Sequence, residues 1–264
     1  MKRSLLISLA LLLAVALNAK TISVSELSKI IGKSNVIVVD ARSSSDYAKT
    51  HIKGAINLDV NDLCNKSPVK GTLKSSSSLA SILGKNGISR NKTIVTYCET
   101  GVRAGRMYWI LKYLGCNDVR MLDGQMKAWF KARKPITNKK TTVSATSFSP
   151  AVKSSLKVDK SYVKSKMNNS NTVLLDTRKA SEYSAGHIGN AVNIPHKQFL
   201  SGSKIKSASA ISSLLSSKGV SKNKEVILYC KTSTTAGLAY FIMDAMLGYS
   251  NVKVYDGAYL DWKN

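Results

Sequence analysis

VIVVDARSSSDYAKTHIKGAIN, residues 36–57, and VLLDTRKASEYSAGHIGNAVN, residues 173–193, are one stretch of sequence written twice. Asp40, Arg42, Tyr47, His51, Ile52, Ala55 and Asn57 align without a gap on Asp176, Arg178, Tyr183, His187, Ile188, Ala191 and Asn193, each pair 136 positions apart (176 − 40). Downstream, GISRNKTIVTYC ending at Cys98 matches GVSKNKEVILYC ending at Cys230, 132 positions on (230 − 98). DGQMKAW and DGAYLDW then align Asp123, Gly124 and Trp129 with Asp256, Gly257 and Trp262, an offset of 133 (256 − 123). Three blocks in one order at nearly one spacing define two homologous domains.

Within each copy, short aliphatic runs alternate with helical stretches. Val36–Val39, Thr93–Tyr97 and Val119–Leu122 in the first copy, and Val173–Leu175, Val226–Tyr229 and Val252–Tyr255 in the second, are too short and unbroken for amphipathic helices and suit strands covered on both faces. Ala104–Leu114 and Ala236–Leu247 follow the cysteines as helices, stopped by Gly115 and Gly248. Alternation of this kind predicts an α/β fold: two tandem domains, each a parallel sheet flanked by helices, with ligands at the carboxyl ends of the strands. The domains are placed at 20–135 and 157–264. Residues 136–156, dense in Ser, Thr, Lys and Pro, form a linker long enough to wrap one domain.

The first nineteen residues have the parts of a secretory signal peptide: Lys2 and Arg3, an apolar run from Leu5 to Leu17, and a small residue, Ala19, at the expected cut. That run is shorter than the roughly 20 residues needed to cross a bilayer, and no other stretch is long and apolar enough to do so. A periplasmic or secreted protein without a stable membrane span is therefore expected. The net charge of +25 falls to +23 on cleavage (25 − 2). Export and the scatter of the lysines, with no block of five or more, argue against nucleic acid and for a solvated basic surface that can steer small anions.

Four cysteines in an exported chain suggest disulfides. Cys98 and Cys230, however, hold the same place in each repeat, which makes a bridge between them a poor reading. Cys64 and Cys116 can be paired or free. Each repeated cysteine stands where a strand ends and a helix begins. Unpaired backbone N–H groups and the helix dipole favour an anion there, so the position can lower a thiol pKa and hold a persulfide sulfur. A buried structural cysteine would explain one such residue but not two placed identically.

The loops are Cys98-Glu99-Thr100-Gly101-Val102-Arg103 and Cys230-Lys231-Thr232-Ser233-Thr234-Thr235. Together with the doubled arrangement, the Asp-Ala-Arg and Asp-Thr-Arg after the first strands, the Tyr and His-Ile that follow, and the Asp-Gly before a tryptophan, they resemble the rhodanese family over nearly the whole chain. The resemblance implies thiosulfate or 3-mercaptopyruvate sulfurtransferase chemistry. Cys98 and Cys230 would be the nucleophiles, taking sulfane sulfur from a small anionic donor and passing it to cyanide or a thiol. The other ten residues of the two loops would bind substrate, and no metal or organic cofactor is implied. The alternative is a periplasmic sulfur carrier or partner-binding module that hands persulfide to a protein acceptor with little free turnover.

Several details refine this. Phosphate- and arsenate-acting relatives have one more residue than separates Cys98 from Arg103, and no Cys-x-x-Cys marks a dithiol redox enzyme. Most tandem rhodaneses keep a cysteine only in the C-terminal domain, whereas this chain keeps both. Gly101 and Arg103 make the first loop the better match, so Cys98 is expected to act at least as well as Cys230. Ser233 replaces the usual glycine and puts the second cradle's geometry in question, although Lys231 adds a charge there. Asp46 and Glu182 stand where tandem members place a donor-clamping arginine, leaving the donor open. Asp40 with Arg42, and Asp176 with Arg178, read as ion pairs supporting the cysteine loops. His51 and His187 read as structural, Trp129 and Trp262 as anchors, and His196 follows no pattern.

Overall fold

The computed structural model describes residues 20–264. The signal peptide assigned to residues 1–19 lies outside the described residues. No helix among those described is long and apolar enough to cross a membrane.

The first domain strings β1 (Thr21–Ile22), β2 (Val36–Asp40), β3 (Ala55–Asn57), β4 (Thr93–Tyr97) and β5 (Asp118–Leu122) into a sheet of order β1-β5-β4-β2-β3, and every neighbouring pair is parallel. The second repeats it with β6 (Lys157–Val158), β7 (Thr172–Asp176), β8 (Val192–Asn193), β9 (Glu225–Tyr229) and β10 (Val252–Tyr255), in the order β6-β10-β9-β7-β8. Ile94, Val95, Val226, Ile227 and Leu228 are fully buried, as expected of central strands covered by helices on both faces.

The helix after Cys98 spans Val102–Tyr113. The helix after Cys230 spans Thr234–Phe241 and then widens into one π turn, Ile242–Met246, where the aliphatic pattern alone predicts uninterrupted helix to Leu247. Gly115 and Gly248 end both with positive φ, +83° and +68°. These two cysteine helices cross each other at Gly105 and Gly237, residues 132 apart like the cysteines (237 − 105). A Cβ added to Gly105 would lie 2.6 Å from Leu238 Cα, and one on Gly237 2.5 Å from Arg106 Cα. Only glycine permits that approach. A pseudo-twofold axis therefore relates the domains, and Tyr108 meets its own counterpart Tyr240 across it with ring centroids 6.3 Å apart.

Burial makes this interface part of the core. One apolar cluster runs from Ile37 of the first domain to Val254 of the second and includes Met107, Tyr108, Trp109, Leu238 and Phe241. Tyr108 Oη donates to Asp244 at 2.6 Å, and Trp109 Nε1 donates to the Leu156 carbonyl at 3.1 Å. Full burial of side chains of this size stabilises by about 1.5–3 kcal/mol each.

The chain between the domains runs over the first one. Ile136–Thr137 pairs antiparallel with His51–Ile52. Beyond it, Thr141 N–H donates to Tyr47 Oη, Thr146 N–H to the Gly84 carbonyl, and Ala151 N–H to the Leu114 carbonyl.

Candidate active site

Each cysteine follows the last residue of a central strand, at the carboxyl edge of its sheet, and both are buried. The approach to each is prepared by the same carboxylate and arginine. Asp40 and Asp176 are fully buried at the ends of β2 and β7. Arg42 donates its backbone N–H and its guanidinium to Asp40, with the shortest contact 2.7 Å from Nη2, and a second bond to the Thr50 carbonyl. Arg178 does the same with Asp176 and the Gly186 carbonyl. Asn57 and Asn193 tie both residues of each pair through their main-chain carbonyls. These pairs fix the turns after β2 and β7 and make no hydrogen bond to either sulfur. Arg178 also stacks 3.7 Å from the Tyr259 ring centroid, whereas Arg42 faces Glu99 at 3.8 Å.

The first loop closes around its sulfur. Gly101 adopts φ +88° and turns the backbone so that its N–H points to Cys98 Sγ at 3.1 Å, with Ala104 N–H at 3.4 Å. Burial pushes the Cys98 thiol up, and the N–H groups of Ala104, Thr100, Gly101 and Arg103 pull it back down without fully offsetting burial. At the uncharged thiol burial therefore outweighs the donors of the helix terminus, opposite in direction to the lowering that this position was expected to allow. The same donors would bind a charged sulfur once one forms. Glu99 and Thr100 are exposed, Val102 and Arg103 half-buried.

A residue the repeat comparison passes over locks this loop. Gln125 holds φ +60°, accepts the Cys98 N–H at 2.9 Å on Oε1, and donates to the Leu122 carbonyl at 2.6 Å. Met126 N–H donates to the Cys98 carbonyl at 3.1 Å. The second domain has Ala258 at the matching place, also at positive φ (+55°), and Tyr259 N–H donates to the Cys230 carbonyl at 2.9 Å. The main chain is reproduced, but no side chain there can take the Cys230 N–H.

The second loop is built with hydroxyls instead. Ser233 adopts φ +62° and ψ +3°, the left-handed region that Gly101 uses. A serine is therefore accepted where glycine is usual, because its Oγ hydrogen is shared between the Tyr255 carbonyl at 2.7 Å and the Asp256 carbonyl at 3.0 Å. Thr235 Oγ1 lies 2.7 Å from Thr177 Oγ1, and Thr232 Oγ1 lies 3.4 Å from Thr234 Oγ1. Among the described residues no N–H donates to Cys230 Sγ. Lys231 is exposed beside the cysteine. His196, which no motif marked, donates its N–H to the Thr177 carbonyl; burial holds its imidazole below the ordinary histidine range, and its Nδ1 has no partner among the described residues.

His51 is buried, stacked 3.5 Å from Tyr47, and hydrogen-bonded through Nδ1 to the Tyr47 carbonyl. Tyr183 and His187 repeat the stack at 4.0 Å. Both histidines thus serve the turn before β3 and β8 and do not meet the cysteines. Trp129 is buried and donates to the Pro135 carbonyl, while Trp262 is half-buried. All four cysteines are free; burial pushes Cys116 up to about 12.

The domains also complete each other's surroundings. The segment Cys64–Leu73 of the first domain reaches the second loop, where a Cβ on Gly71 would sit 2.8 Å from Thr232. Reciprocally, the hairpin Leu200–Ser201 with Lys204–Ile205 reaches the first site: Ser203 Oγ donates to the Gly124 carbonyl, and Lys204 Nζ lies 3.7 Å from Asp123.

Two parallel α/β sheets joined about a pseudo-dyad, each ending a central strand in a cysteine that opens a helix, define a two-domain protein with paired thiol sites. A family model of the rhodanese-like domain matches residues 23–132 and 159–264, and the chain belongs to the rhodanese family. It is 27% identical over 251 residues to the thiosulfate sulfurtransferase of Pseudomonas aeruginosa, covering 91% of this chain and 92% of that protein. It is also 27% identical over 241 residues to the sulfur carrier protein TtuD of Thermus thermophilus, covering 83% of this chain and 84% of the other. Its fold matches that of SseA from Escherichia coli, described as a 3-mercaptopyruvate sulfotransferase, with a TM-score of 0.85 at 23% identity over 91% of this chain and 99% of the other.

Proposed function

We propose that this chain is a sulfurtransferase that carries sulfane sulfur on a cysteine persulfide, with thiosulfate or 3-mercaptopyruvate as donor and cyanide or a thiol as acceptor. The carrying observation is the first loop: Gly101 and Ala104 N–H groups aimed at the buried Cys98 Sγ. The Cys98 thiolate attacks the outer sulfur of thiosulfate or the thiol sulfur of 3-mercaptopyruvate; a new S–S bond forms as the donor's S–S or C–S bond breaks, and sulfite, or the enolate of pyruvate that then takes up a proton, leaves with the electron pair. The persulfide then yields its outer sulfur to the acceptor, and the cysteine returns as thiolate. Arg103 at the loop and the basic surface draw the anionic donor.

Cys230 is assigned the same chemistry in a weaker cradle. The absence of an arginine before Tyr47 and Tyr183 leaves both donors in play, and the similarity to TtuD supports carrier duty toward a protein acceptor as the second reading. The sequence of residues 1–19 supports export to the periplasm or beyond, which would put both thiols under oxidising conditions. Steady-state assay of thiocyanate formation from thiosulfate and cyanide, against pyruvate formation from 3-mercaptopyruvate, tests the proposal. Double-displacement kinetics with either donor supports an enzyme. Stoichiometric loading without multiple turnover would replace it with the carrier.

A further inference from the structure

The helix Gln125–Lys131 begins at the Cys98 loop and runs about 10 Å to the surface of the first domain. Its inner side is fixed by the buried Trp129, whose Nε1 donates to the Pro135 carbonyl at 3.0 Å. The next residue faces the other way: Phe130 is 63% exposed, and no other aromatic among the described residues is more than half-buried. The chain then turns back through Arg133, at φ +53°, whose N–H donates to the Phe130 carbonyl at 2.9 Å. Ile136 pairs with Ile52 yet remains 39% exposed. The turn is thus held from inside while two large apolar side chains stay in water.

Phe130 and Ile136 line one open depression of about 400 Å³ together with Lys131, Arg133 and Lys134, and no carboxylate shares it. None of these three cations is in an ion pair among the described residues. The surrounding sequence keeps the same sign: residues 124–158 contain eight Lys or Arg and no Asp or Glu. The repeat requires none of this. Directly after the matching tryptophan, Lys263 takes the place of Phe130 in the second copy (263 − 130 = 133).

We propose that this turn is a docking surface for an anionic phospholipid bilayer, with Phe130 and Ile136 entering the headgroup boundary and Lys131, Arg133 and Lys134 meeting lipid phosphates. Cations around an apolar tip suit that surface, because the apolar side chains leave water while each cation gains from the negative surface potential. An acidic protein would also match the charge. Lysine, however, is depleted in protein interfaces, and a stable one buries about 800 Å² per partner around a largely apolar centre. Here two apolar side chains stand among cations, which fits a fluid surface that adapts around them. Three cations and one phenyl ring give reversible attachment, short of stable anchoring. Docking brings the Cys98 loop within one short helix of the bilayer. The inference is independent of the sulfur chemistry proposed above.

The test is co-sedimentation with vesicles of phosphatidylglycerol and phosphatidylcholine in equal parts, against vesicles of phosphatidylcholine alone. It is run on the full chain and on the chain from Lys20, each variant beside its own parent, so that the apolar run of residues 5–17 contributes equally to every comparison; melting curves establish folding. The mixed vesicles should bind the chain from Lys20 and the neutral ones should not. Phe130→Ala should weaken binding about tenfold. Lys131→Gln and Arg133→Asn should weaken it about fivefold each, asparagine being chosen because it tolerates left-handed backbone. Lys218→Gln, the same loss of charge on the second domain, should leave binding nearly unchanged. A wild-type protein that does not sediment with the mixed vesicles overturns the docking surface. So does Phe130→Ala binding as well as wild type, or Lys218→Gln weakening binding as much as Lys131→Gln, since net charge and not this turn would then be responsible. Phe130-dependent cross-linking to an acidic protein, without vesicle binding, would overturn the bilayer in favour of a protein partner.

Discussion

The two cysteine loops share a strand, a turn and a helix, yet they are held by different chemistry. The first relies on backbone: Gly101 supplies the left-handed turn, Gln125 ties down the Cys98 N–H, and two main-chain N–H groups face the sulfur. The second relies on side chains: Ser233 takes the same turn at a steric cost and offsets it with its hydroxyl, while Thr177 and Thr235 brace the far side. Its sulfur receives no N–H among the described residues, and its surroundings are finished by Gly71, Arg106 and Leu73 from the other domain. A duplicated fold can therefore keep its path while the determinants of anion binding drift apart. On the function proposed above, the first loop is the better persulfide cradle, and the second is the one reached by a buried ion pair, Arg106 with Asp256, from the other domain.

The sharpest break of this comparison comes from the nucleophiles. In a Cys230→Ser background, adding Cys98→Ser should lower thiocyanate formation by on the order of 1000-fold, as expected when a covalent nucleophile is lost. Of the single variants, Cys98→Ser should show the larger loss of rate.

Next is pH. Because burial raises the Cys98 thiol, its thiolate fraction, and with it the rate of alkylation by iodoacetamide at saturating pH control, should rise about tenfold per pH unit and continue rising above the free-thiol value of about 8.5. In folding terms the neutral thiol is the favoured form. Its contribution to stability is full below the unfolded-state pKa and is lost as pH rises through the folded one. A profile for Cys98 that levels off below pH 8 would show that the N–H groups outweigh burial.

Gly105→Val probes what the two loops share. Its Cβ would meet the backbone of Leu238, so the cysteine helices must separate, at about 3 kcal/mol by analogy with overfilled cores. Thermal unfolding should fall by roughly 6–12 °C, and both sites should weaken together.

The smallest effect separates strain from hydrogen bonding in the second loop. Ser233→Ala keeps the strained φ and loses the bonds to the Tyr255 and Asp256 carbonyls, while Ser233→Gly loses the bonds and relieves the strain. Ala should be the less stable by about 1 kcal/mol in denaturant unfolding. Equal stability would mean that φ +62° carries no cost here.

Much of this was legible because it is local or repeated. The strands Val36–Val39, Thr93–Tyr97, Val173–Leu175 and Val226–Tyr229, two of which the structure extends by one residue to Asp40 and Asp176, the helices behind both cysteines, the pairing of Asp40 with Arg42 and the structural place of His51 all follow from period, spacing and doubling. What escaped lies where the copies differ or where contacts cross domains. Gln125 faces Ala258, Arg106 faces Leu238 and His196 faces Val60 at matching places, so a search for sameness discards them. The Arg106–Asp256 pair joins residues 150 positions apart, and no local pattern signals it. The left-handed Ser233 was hidden for a different reason: its two acceptors are carbonyls after β10, contributed by the fold and not by the loop's own sequence. The π turn at Ile242–Met246 likewise leaves the aliphatic pattern unbroken.

The central claim, that the first loop is the stronger persulfide cradle, is tested most directly by intact-protein mass spectrometry after a brief exposure to thiosulfate. Cys230→Ser should still gain the mass of one sulfur atom, rapidly and stably, while Cys98→Ser gains sulfur more slowly and loses it sooner to added thiol. A Cys230→Ser protein that is folded and gains no sulfur, beside a Cys98→Ser protein that loads as well as wild type, would contradict the account.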